Sequence, residues 1–407
     1  MHVFVSDLHM DDTGASGSVS DTALTQFIVR LESLAVEHGR KITLVFLGDV
    51  LELLRSPSWE ILWNKHKSAP WSGMGADFRN FRDGHAEKTA IEIARAICAR
   101  YPNFSAKLKS LVQRGAIETK YIFGNHDYMV QLSQGLRQIL VEFLSLSHDP
   151  KKPFQLSYSD KAASVFATHG HGVDAVNWHR KAEGYWALGD AVVLRVVNRF
   201  ATVACEQLGL ALTTETGRLL LELDNIEPIA DIPVYVRWLA EQSLAIKKQR
   251  KSIEKAWKEV VDDFLAIPEF DDATAYGAKP YKMLRRAFEF STRMGLAEMA
   301  ASMPELFEGT GVDYRGAALR ESEQHTQYRF VLFGHTHGPM FVPLASDGSR
   351  GTFYVNTGCW RRVVTRPSLK ARGPFLPRRL ATYFVVDDND GSETQERYHF
   401  HQEWHVT

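Results

Sequence analysis

The sequence contains few cysteines, and they lie far apart. Cys98, Cys205 and Cys359 are the three thiols among 407 residues. This number and spacing indicate neither a disulfide framework nor a CxxC metal site. We therefore expect the chain to work in a reducing compartment, where free thiols persist.

Long apolar runs are also absent. No uninterrupted stretch approaches the roughly 18 residues that a membrane span needs. The first ten residues, MHVFVSDLHM, lack the basic region and apolar core of a signal peptide. We therefore expect a cytoplasmic protein without a transmembrane segment, which at most contacts a membrane from one side.

The sequence has almost no excess charge, since its formal net charge is -1. This excludes a strong attraction of the whole molecule for nucleic acid or anionic membrane, although local basic patches remain. A hydrophobic fraction of 44% is typical of an ordinary globular protein. A length of 407 residues exceeds a usual single core, so one domain with a large insertion, or two domains, is expected.

Five short apolar runs, each typical of a buried strand, end in polar clusters. The runs are 2–5, 42–47, 117–123, 162–168 and 329–333, and the clusters are SDLH (6–9), GDVLE (48–52), GNHD (124–127), THGH (168–171) and FGHTH (333–337). In open α/β sheets, sites form at the carboxyl ends of strands because the loops there converge on one edge. The five clusters are therefore expected to gather into one pocket.

The residue types in these clusters suit divalent cations. Carboxylate, imidazole and amide-oxygen ligands fit borderline ions such as Mn²⁺, Zn²⁺ and Fe²⁺. Asp7-x-His9 and His335-x-His337 each place two side chains on one side of an extended segment. Two ions about 3.5–4 Å apart need a bridging carboxylate, and Asp49 is the natural candidate. We therefore expect a site for two metal ions.

A long stretch between two of the clusters has a different pattern of apolar residues. Helical patterns dominate at 176–209, 234–265 and 280–302, and strand patterns are almost missing. The expected organisation is a core at 1–171 and 326–407 with a helical insertion at 172–325. Because both ends of the insertion adjoin proposed ligands, we expect a cap that shapes the entrance without supplying ligands. An oligomerisation or partner surface is the alternative.

The order D-x-H, GDxx(D/E), GNH(D/E), H-G-H and GHxH resembles the calcineurin-like metallophosphoesterase superfamily. The resemblance covers 1–171 and 326–407 but not the insertion. It implies an α/β fold, with two mixed sheets forming an αββα sandwich that carries the insertion as a cap. It also implies hydrolysis of phosphate esters or anhydrides with two divalent ions, Mn²⁺ or alternatively Fe²⁺ or Zn²⁺.

The resemblance also implies a role for each motif residue. The first ion would be held by Asp7, His9, Asp49 and His337, and the second by Asp49, Asn125, His169 and His335. Asn125 would also face the substrate phosphate. Metal-bound hydroxide would attack phosphorus in line, with His126 as the general acid and Asp127 as the residue that orients it.

One position departs from the commonest form of the pattern. Glu52 stands where GDxxD would end in aspartate. The GDxxE form resembles the UDP-diacylglucosamine pyrophosphohydrolases, which also carry a helical insertion between H-G and GHxH. The insertion here is much longer, so that substrate does not follow. Glu52 is either part of the site or a supporting, solvated carboxylate.

Residues for substrate binding are less defined by pattern. His171 either lines the substrate side of the site or caps a strand end. The basic stretch 361–379 contains no acidic residue, and its Arg361 and Arg362 either grip an anionic group of the substrate or belong to a solvated loop.

Three classes of function remain open at this point. The first is hydrolysis of a phosphorylated small molecule or lipid-linked substrate, such as a nucleotide pyrophosphate or phosphodiester. The second is a metal-dependent nuclease acting on DNA or RNA, which the near-zero net charge disfavours. The third is a metal-bound scaffold that recruits a partner through the insertion. The sequence predicts no oligomeric state.

Overall fold

The computed structural model describes most of the chain. The described residues are 1–13, 17–65, 84–178, 187–227, 231–242, 250–266, 285–286, 288–289, 292, 312–345, 351–367, 374–387 and 397–403. Within them no helix combines the length and the apolar character that a membrane crossing requires.

The first sheet has five strands, which are β1 (His2–Val5), β2 (Ile42–Leu47), β3 (Ile117–Ile122), β12 (Ala381–Asp387) and β13 (Arg397–Glu403). Their order across the sheet is β13-β12-β1-β2-β3. The strands β1, β2 and β3 run parallel, while β12 is antiparallel to β1. Val5 pairs with Phe46, and Leu47 pairs with Ile122. The chain therefore leaves all three parallel strands at the same edge.

The second sheet also has five strands, which are β4 (Ser157–Asp160), β5 (Val165–Thr168), β7 (Phe330–Phe333), β8 (Met340–Ala345) and β9 (Thr352–Asn356). Their order across the sheet is β4-β5-β7-β9-β8. The central strands β5, β7 and β9 are parallel, and the outer two are antiparallel to their neighbours. As in the first sheet, the carboxyl ends of the parallel strands share one edge.

The two sheets pack face to face through a common apolar cluster. Its members include Phe4, Val45, Leu47, Ile122 and Phe384 from the first sheet and Val165, Ala167, Phe330, Leu332 and Val355 from the second. Burying one such side chain stabilises the fold by about 1.5–3 kcal/mol. The packing brings the two carboxyl edges together, which the side-chain contacts across the site confirm.

Helices cover the outer faces of the sandwich. On the first sheet lie α1 (Asp21–His38), α2 (Pro57–Lys65), α3 (His85–Arg100), α4 (Pro102–Gln113), α5 (Met129–Leu132) and α6 (Gln134–Leu144), most of them packed in one core cluster. On the second sheet lies the helix Tyr314–Gln324. Helix α1 begins after Ser20, whose hydroxyl accepts from the Ala23 N–H, and ends at Gly39 with a φ of 61°.

The insertion has an apolar core of its own. Its described elements are α7 (Leu188–Val192), a π-helical turn (Val193–Val197), α8 (Asn198–Leu208), α9 (Glu215–Leu221), β6 (Ile226–Glu227), α10 (Ile232–Gln242) and α11 (Arg250–Leu265), and the helix Tyr314–Gln324 is accordingly α12. Phe200, Tyr235 and Trp257 are buried in this core. Val364 and Phe375 from the C-terminal part of the chain join the same cluster.

A small third sheet joins the insertion to the rest of the fold. Strand β6 pairs in parallel with β10 (Val363–Thr365), which pairs antiparallel with β11 (Leu376–Arg378). The Asn198 side chain also donates to the Leu54 carbonyl at 2.8 Å. The insertion is therefore attached along a seam as well as through its two chain connections.

The expected α/β class with two mixed sheets is confirmed, and the five strands expected before the motif clusters are observed, with some corrections. Strands β4, β6, β10 and β11 are absent from the predicted pattern, because each has at most four residues and lacks a continuous apolar run. The π-helical turn Val193–Val197 interrupts the predicted α-helix 176–209, and residues 179–186 lie outside the described residues. Most of the predicted helix 280–302 also lies outside them.

Candidate metal centre

The motif residues converge where the parallel strands of both sheets end. Asp7, Asp49 and Asn125 follow β1, β2 and β3, and His169 and His335 follow β5 and β7. The Asp7 carboxylate accepts from the His335 backbone N–H at 3.0 Å, and this contact joins the two sheets. The predicted gathering of the strand ends into one site is therefore observed.

The backbone at these residues is not extended, so the extended segments predicted for Asp7-x-His9 and His335-x-His337 are wrong. Only seven described residues other than glycine have a positive φ, and five of them are Asp7, His9, Asp49, His335 and His337. Such a conformation costs on the order of 1–3 kcal/mol per residue and persists only where the surroundings impose it. This backbone conformation directs the five side chains towards one small volume, and such clustered backbone strain is typical of a functional site.

Two glycines allow these loops to approach closely. Gly48 has a φ of +85°, and a Cβ there would lie 2.6 Å from the backbone nitrogen of Gly124. A Cβ on Gly124 would lie 2.0 Å from Asp49 Oδ1. Larger residues at either position would push the loops after β2 and β3 apart, because no side chain fits between them.

The first group of ligand atoms contains Asp7, His9 and His337. His9 Nε2 lies 3.1 Å from His337 Nε2 and 3.7 Å from Asp7 Oδ1. His337 Nε2 lies 3.3 Å from the same Asp7 oxygen. Burial opposes ionisation of Asp7, but His169, His337 and His9 hold the pKa of this carboxyl well below its ordinary value. A carboxylate and two imidazole nitrogens therefore point at one another.

The opposite ring nitrogens of these two histidines face carboxylates. His9 Nδ1 lies 2.7 Å from Glu52 Oε2, and His337 Nδ1 contacts Glu227 Oε1. The neutral form that donates from Nδ1 leaves Nε2 as an unprotonated acceptor. With both rings in this form, two lone pairs lie 3.1 Å apart beside a carboxylate, and a proton or a metal cation between the nitrogens would stabilise them. The arrangement therefore fits a metal ion.

The second group contains Asp49, Asn125, His169 and His335. His169 Nε2 lies 3.2 Å from both Asp49 Oδ2 and Asn125 Oδ1. His169 Nδ1 donates to the Leu47 carbonyl at 2.6 Å, which fixes the tautomer that leaves Nε2 as a ligand atom. Ligand atoms of Asp49, His169 and His335 all lie within 4.8 Å of one another. This group could hold a second ion.

Asp49 lies between the two groups. Its Oδ1 accepts from the His126 backbone N–H at 2.8 Å. Its Oδ2 is buried and lies 3.2 Å from His169 Nε2 and 3.9 Å from His9 Nε2. Burial alone would lower the pKa of His169, but Asp49 and Asp7 raise that pKa to about 9. A buried carboxylate oxygen that faces imidazole nitrogens of both groups is suited to a bridging ligand.

His126 is held by a different carboxylate from the one expected. Its Nδ1 lies 2.8 Å from Glu52 Oε1. The Asp127 carboxylate instead accepts from the Val50 N–H at 2.9 Å and the Gly124 N–H at 2.7 Å. Burial, assisted by the Asp49 charge, raises the pKa of Asp127 to about 6. Asp127 therefore ties two site loops together, and Glu52 orients His126.

Glu52 connects the candidate acid with the first ligand group. It is buried, with 1% of its surface exposed, and its two oxygens serve His126 and His9. Burial opposes its ionisation, but His126 and Arg55 hold the pKa of Glu52 well below its ordinary value. Glu52 is therefore not a solvated carboxylate, and it contacts two imidazoles of the candidate centre.

The residues expected to bind substrate have different positions. His171 is buried, with its ring centroid 5.3 Å from that of His169, so it lies beside the second group. Arg361 is buried as well. Arg362 forms an ion pair with Glu222 of the insertion, at the seam between insertion and core. The part of the basic stretch at 368–373 lies outside the described residues.

Four residues beside the site were not identified from sequence. Glu227 contacts His337 Nδ1, and Asp174 Oδ2 lies 3.2 Å from His335 Nε2. Arg55 Nε lies 3.8 Å from Glu52 Oε2. Cys359 Sγ lies within 4.8 Å of ligand atoms of His9 and His337, but burial raises the pKa of this thiol well above its ordinary value.

The signals for these residues differ in kind. Asp174 follows the H-G-H cluster by three positions and could have been considered with it, whereas Glu227 lies in no recognisable motif. The three cysteines are free thiols, as their number and spacing suggest.

No protein-family model matches this chain and no curated protein matches it, so the residues of the centre carry the functional assignment on their own.

Proposed function

We propose that the chain is a phosphoesterase of the calcineurin-like metallophosphoesterase superfamily that uses two divalent ions, with Mn²⁺ favoured. The observation that carries this proposal is the position of Asp49. Its buried Oδ2 lies between His169 of one ligand group and His9 of the other. A bridging carboxylate with nitrogen and oxygen donors on both sides fits a pair of divalent cations about 3.5–4 Å apart.

The chemistry then divides between the ions and the protein. Two cations held by these residues would lower the pKa of water towards neutrality and would neutralise charge that develops on the phosphoryl oxygens. His126 supplies the proton for the departing oxygen from Nε2, because its Nδ1 is engaged with Glu52. Asn125 joins His169 through Oδ1, which leaves its amide NH₂ as a donor for a phosphoryl oxygen.

Proton donation requires a protonated His126 at the working pH. Burial lowers the pKa of His126, but the carboxylates of Glu52 and Asp49 outweigh burial and raise that pKa above its ordinary value. The side chain keeps 11% of its surface exposed, in contrast to the buried His169, so that a substrate has access to it.

A buried arginine beside Glu52 indicates that the substrate is anionic. Arg55 has a side chain only 9% exposed, and its Nε and Nη1 atoms make no hydrogen bond among the described residues. Glu52 offsets its charge at 3.8 Å but leaves these donors unsatisfied. A guanidinium in this state is suited to phosphate oxygens, which accept from two of its N–H groups at once. We therefore infer that Arg55, in place of Arg362, contacts the substrate.

The substrate that we propose is a small or lipid-linked nucleotide pyrophosphate or phosphodiester in the cytoplasm. A nuclease would need an extended basic surface, and the net charge of -1 gives no general support for one. A scaffold without activity would not need the Glu52–His126 contact, because that pair orients an acid that only hydrolysis uses.

One panel of substrates separates these alternatives. Purified protein is incubated with Mn²⁺ and bis-(p-nitrophenyl) phosphate, a nucleotide diphosphate sugar, or single-stranded DNA. We expect hydrolysis of the diester and of the nucleotide sugar, loss of both with a chelator, and recovery with Mn²⁺. A preference for DNA would favour the nuclease. Stoichiometric metal binding without hydrolysis of any substrate would overturn the proposed function.

A further inference from the structure

Both histidines after β7 are contacted by acidic residues of the insertion. Glu227 of β6 accepts from His337 Nδ1, and Asp174 Oδ2 lies 3.2 Å from His335 Nε2. The paired residues are separated by 110 and 161 positions in the sequence. The insertion therefore reaches both ligand groups of the centre and does more than stand at its entrance.

The position of Glu227 is fixed by backbone pairing. Its strand is parallel to β10, in a register that pairs Glu227 with Thr365 and Ile226 with Val364. Ile226 is buried in the apolar core of the insertion. Because the neighbouring residue is anchored in this core, the Glu227 carboxylate has little freedom to leave His337.

Asp174 is held by a local turn. Its Oδ1 accepts from the Val176 N–H at 2.9 Å, and its Oδ2 accepts from the Asn177 side chain at 2.6 Å. The Val176 carbonyl in turn accepts from the Gly189 N–H at 2.9 Å, at the start of the insertion's helices. The orientation of the Asp174 carboxylate therefore depends on the fold of the insertion.

We propose that Glu227 and Asp174 are positioning residues that orient His337 and His335, each for one of the two ions. The inference rests on the proposed function and extends it to the insertion. His337 presents Nε2 to Asp7 and His9, so a hydrogen bond at Nδ1 selects the tautomer that binds a cation. For His335, a hydrogen bond from Nε2 to Asp174 would leave Nδ1 as the unprotonated nitrogen available to an ion in the second group.

The test compares ion binding in single variants. Mn²⁺ titrations by calorimetry are made on the wild-type protein, Glu227→Ala, Glu227→Gln and Asp174→Asn. Glu206→Gln is the matched control, because Glu206 is an exposed residue of the same insertion. Thermal melts in chelator establish that each variant is folded. The Glu227→Gln variant keeps the size and one acceptor oxygen, so it remains informative if Glu227→Ala does not fold.

We expect Glu227→Ala to weaken one of two binding events by about 10–100-fold and leave the other unchanged. Glu227→Gln should have a smaller effect, since the tautomer is still supported but the charge is lost. Asp174→Asn should weaken the other event. Folded variants that bind both ions as the wild type does would overturn the inference alone. Weakening of the same event by both changes would overturn the division between two ions.

The proposed function fails in a different way. A wild-type protein that takes up no divalent ion would remove the metal centre itself, before any variant is compared. Two ions bound by the wild type and unaltered binding in the Glu227 and Asp174 variants would preserve the centre and reject only the role of the insertion. The two failures are therefore distinguishable in one set of titrations.

Discussion

Glu52 Oε1 lies 2.8 Å from His126 Nδ1, and the other oxygen of the same carboxylate lies 2.7 Å from His9 Nδ1. One buried side chain thus orients the candidate acid and a candidate metal ligand together. This relationship explains why glutamate can stand at the end of GDVLE: its two oxygens serve both imidazoles from a single position in the sequence.

The role of His126 predicts a dependence on the leaving group. His126→Ala should retain both ions and slow hydrolysis of substrates with poor leaving groups by about 10²–10⁴-fold. An activated nitrophenyl ester should be affected less, because its leaving oxygen needs little protonation. Steady-state kinetics on both substrate types, with metal content measured on the same samples, check this. Equal slowing on both substrates would mean that His126 positions phosphate without donating a proton.

The shared carboxylate predicts coupling between two sites of mutation. Glu52→Gln should slow hydrolysis of poor leaving groups, and the effects of Glu52→Gln and His126→Ala should be less than additive, because both remove the same donor. Glu52→Gln should also weaken one metal-binding event through His9, which His126→Ala should not do. The exposed Glu37→Gln is the control. Additive kinetic effects in the double variant would contradict the Glu52–His126 unit.

The unsatisfied Arg55 predicts a defect in substrate binding. Arg55→Met keeps much of the side-chain volume and removes the donors, so KM should rise by roughly 10-fold or more while metal content stays unchanged. Competitive inhibition by inorganic phosphate should weaken in parallel. Arg114→Met, at an exposed position, serves as the control. An unchanged KM and an unchanged phosphate inhibition constant would assign Arg55 to charge balance for Glu52 only.

The sequence predicted the framework of this site because its strands are local. The runs 2–5 and 42–47 coincide with β1 and β2, since short apolar segments followed by Ser-Asp or Gly-Asp have few other structures available. The ligand residues follow directly from where these strands end. Contacts that depend on distant pairing could not be predicted in this way.

Asp127 and Glu227 show where local reasoning stops. Asp127 is next to His126 in sequence, yet its oxygens turn to the Val50 and Gly124 N–H groups, because buried backbone donors near it need acceptors. Glu227 has no local motif, and its partner His337 is 110 residues away. Only the pairing of β6 with β10, two strands absent from the predicted pattern, brings these two together.

The contacts of the insertion change what its deletion should do. A cap without ligand contacts would allow replacement of residues 176–322 by a short Gly/Ser linker with metal binding intact. The structure instead predicts weaker metal binding, because the deletion removes Glu227 and uncovers Val364 and Phe375. Metal titration and circular dichroism of the deletion protein test this. A folded deletion protein with full metal affinity would favour a cap that does not influence the metal ligands.

The bridging position of Asp49 is the central claim, and metal content after dialysis tests it most directly. Asp49→Asn is compared with His337→Gln, because Asp49 adjoins both ligand groups whereas His337 belongs to one. We predict two ions per chain in the wild type, loss of both in Asp49→Asn with hydrolysis abolished, and loss of one in His337→Gln. Full metal occupancy and near-native turnover in Asp49→Asn would contradict a two-ion centre bridged by this carboxylate.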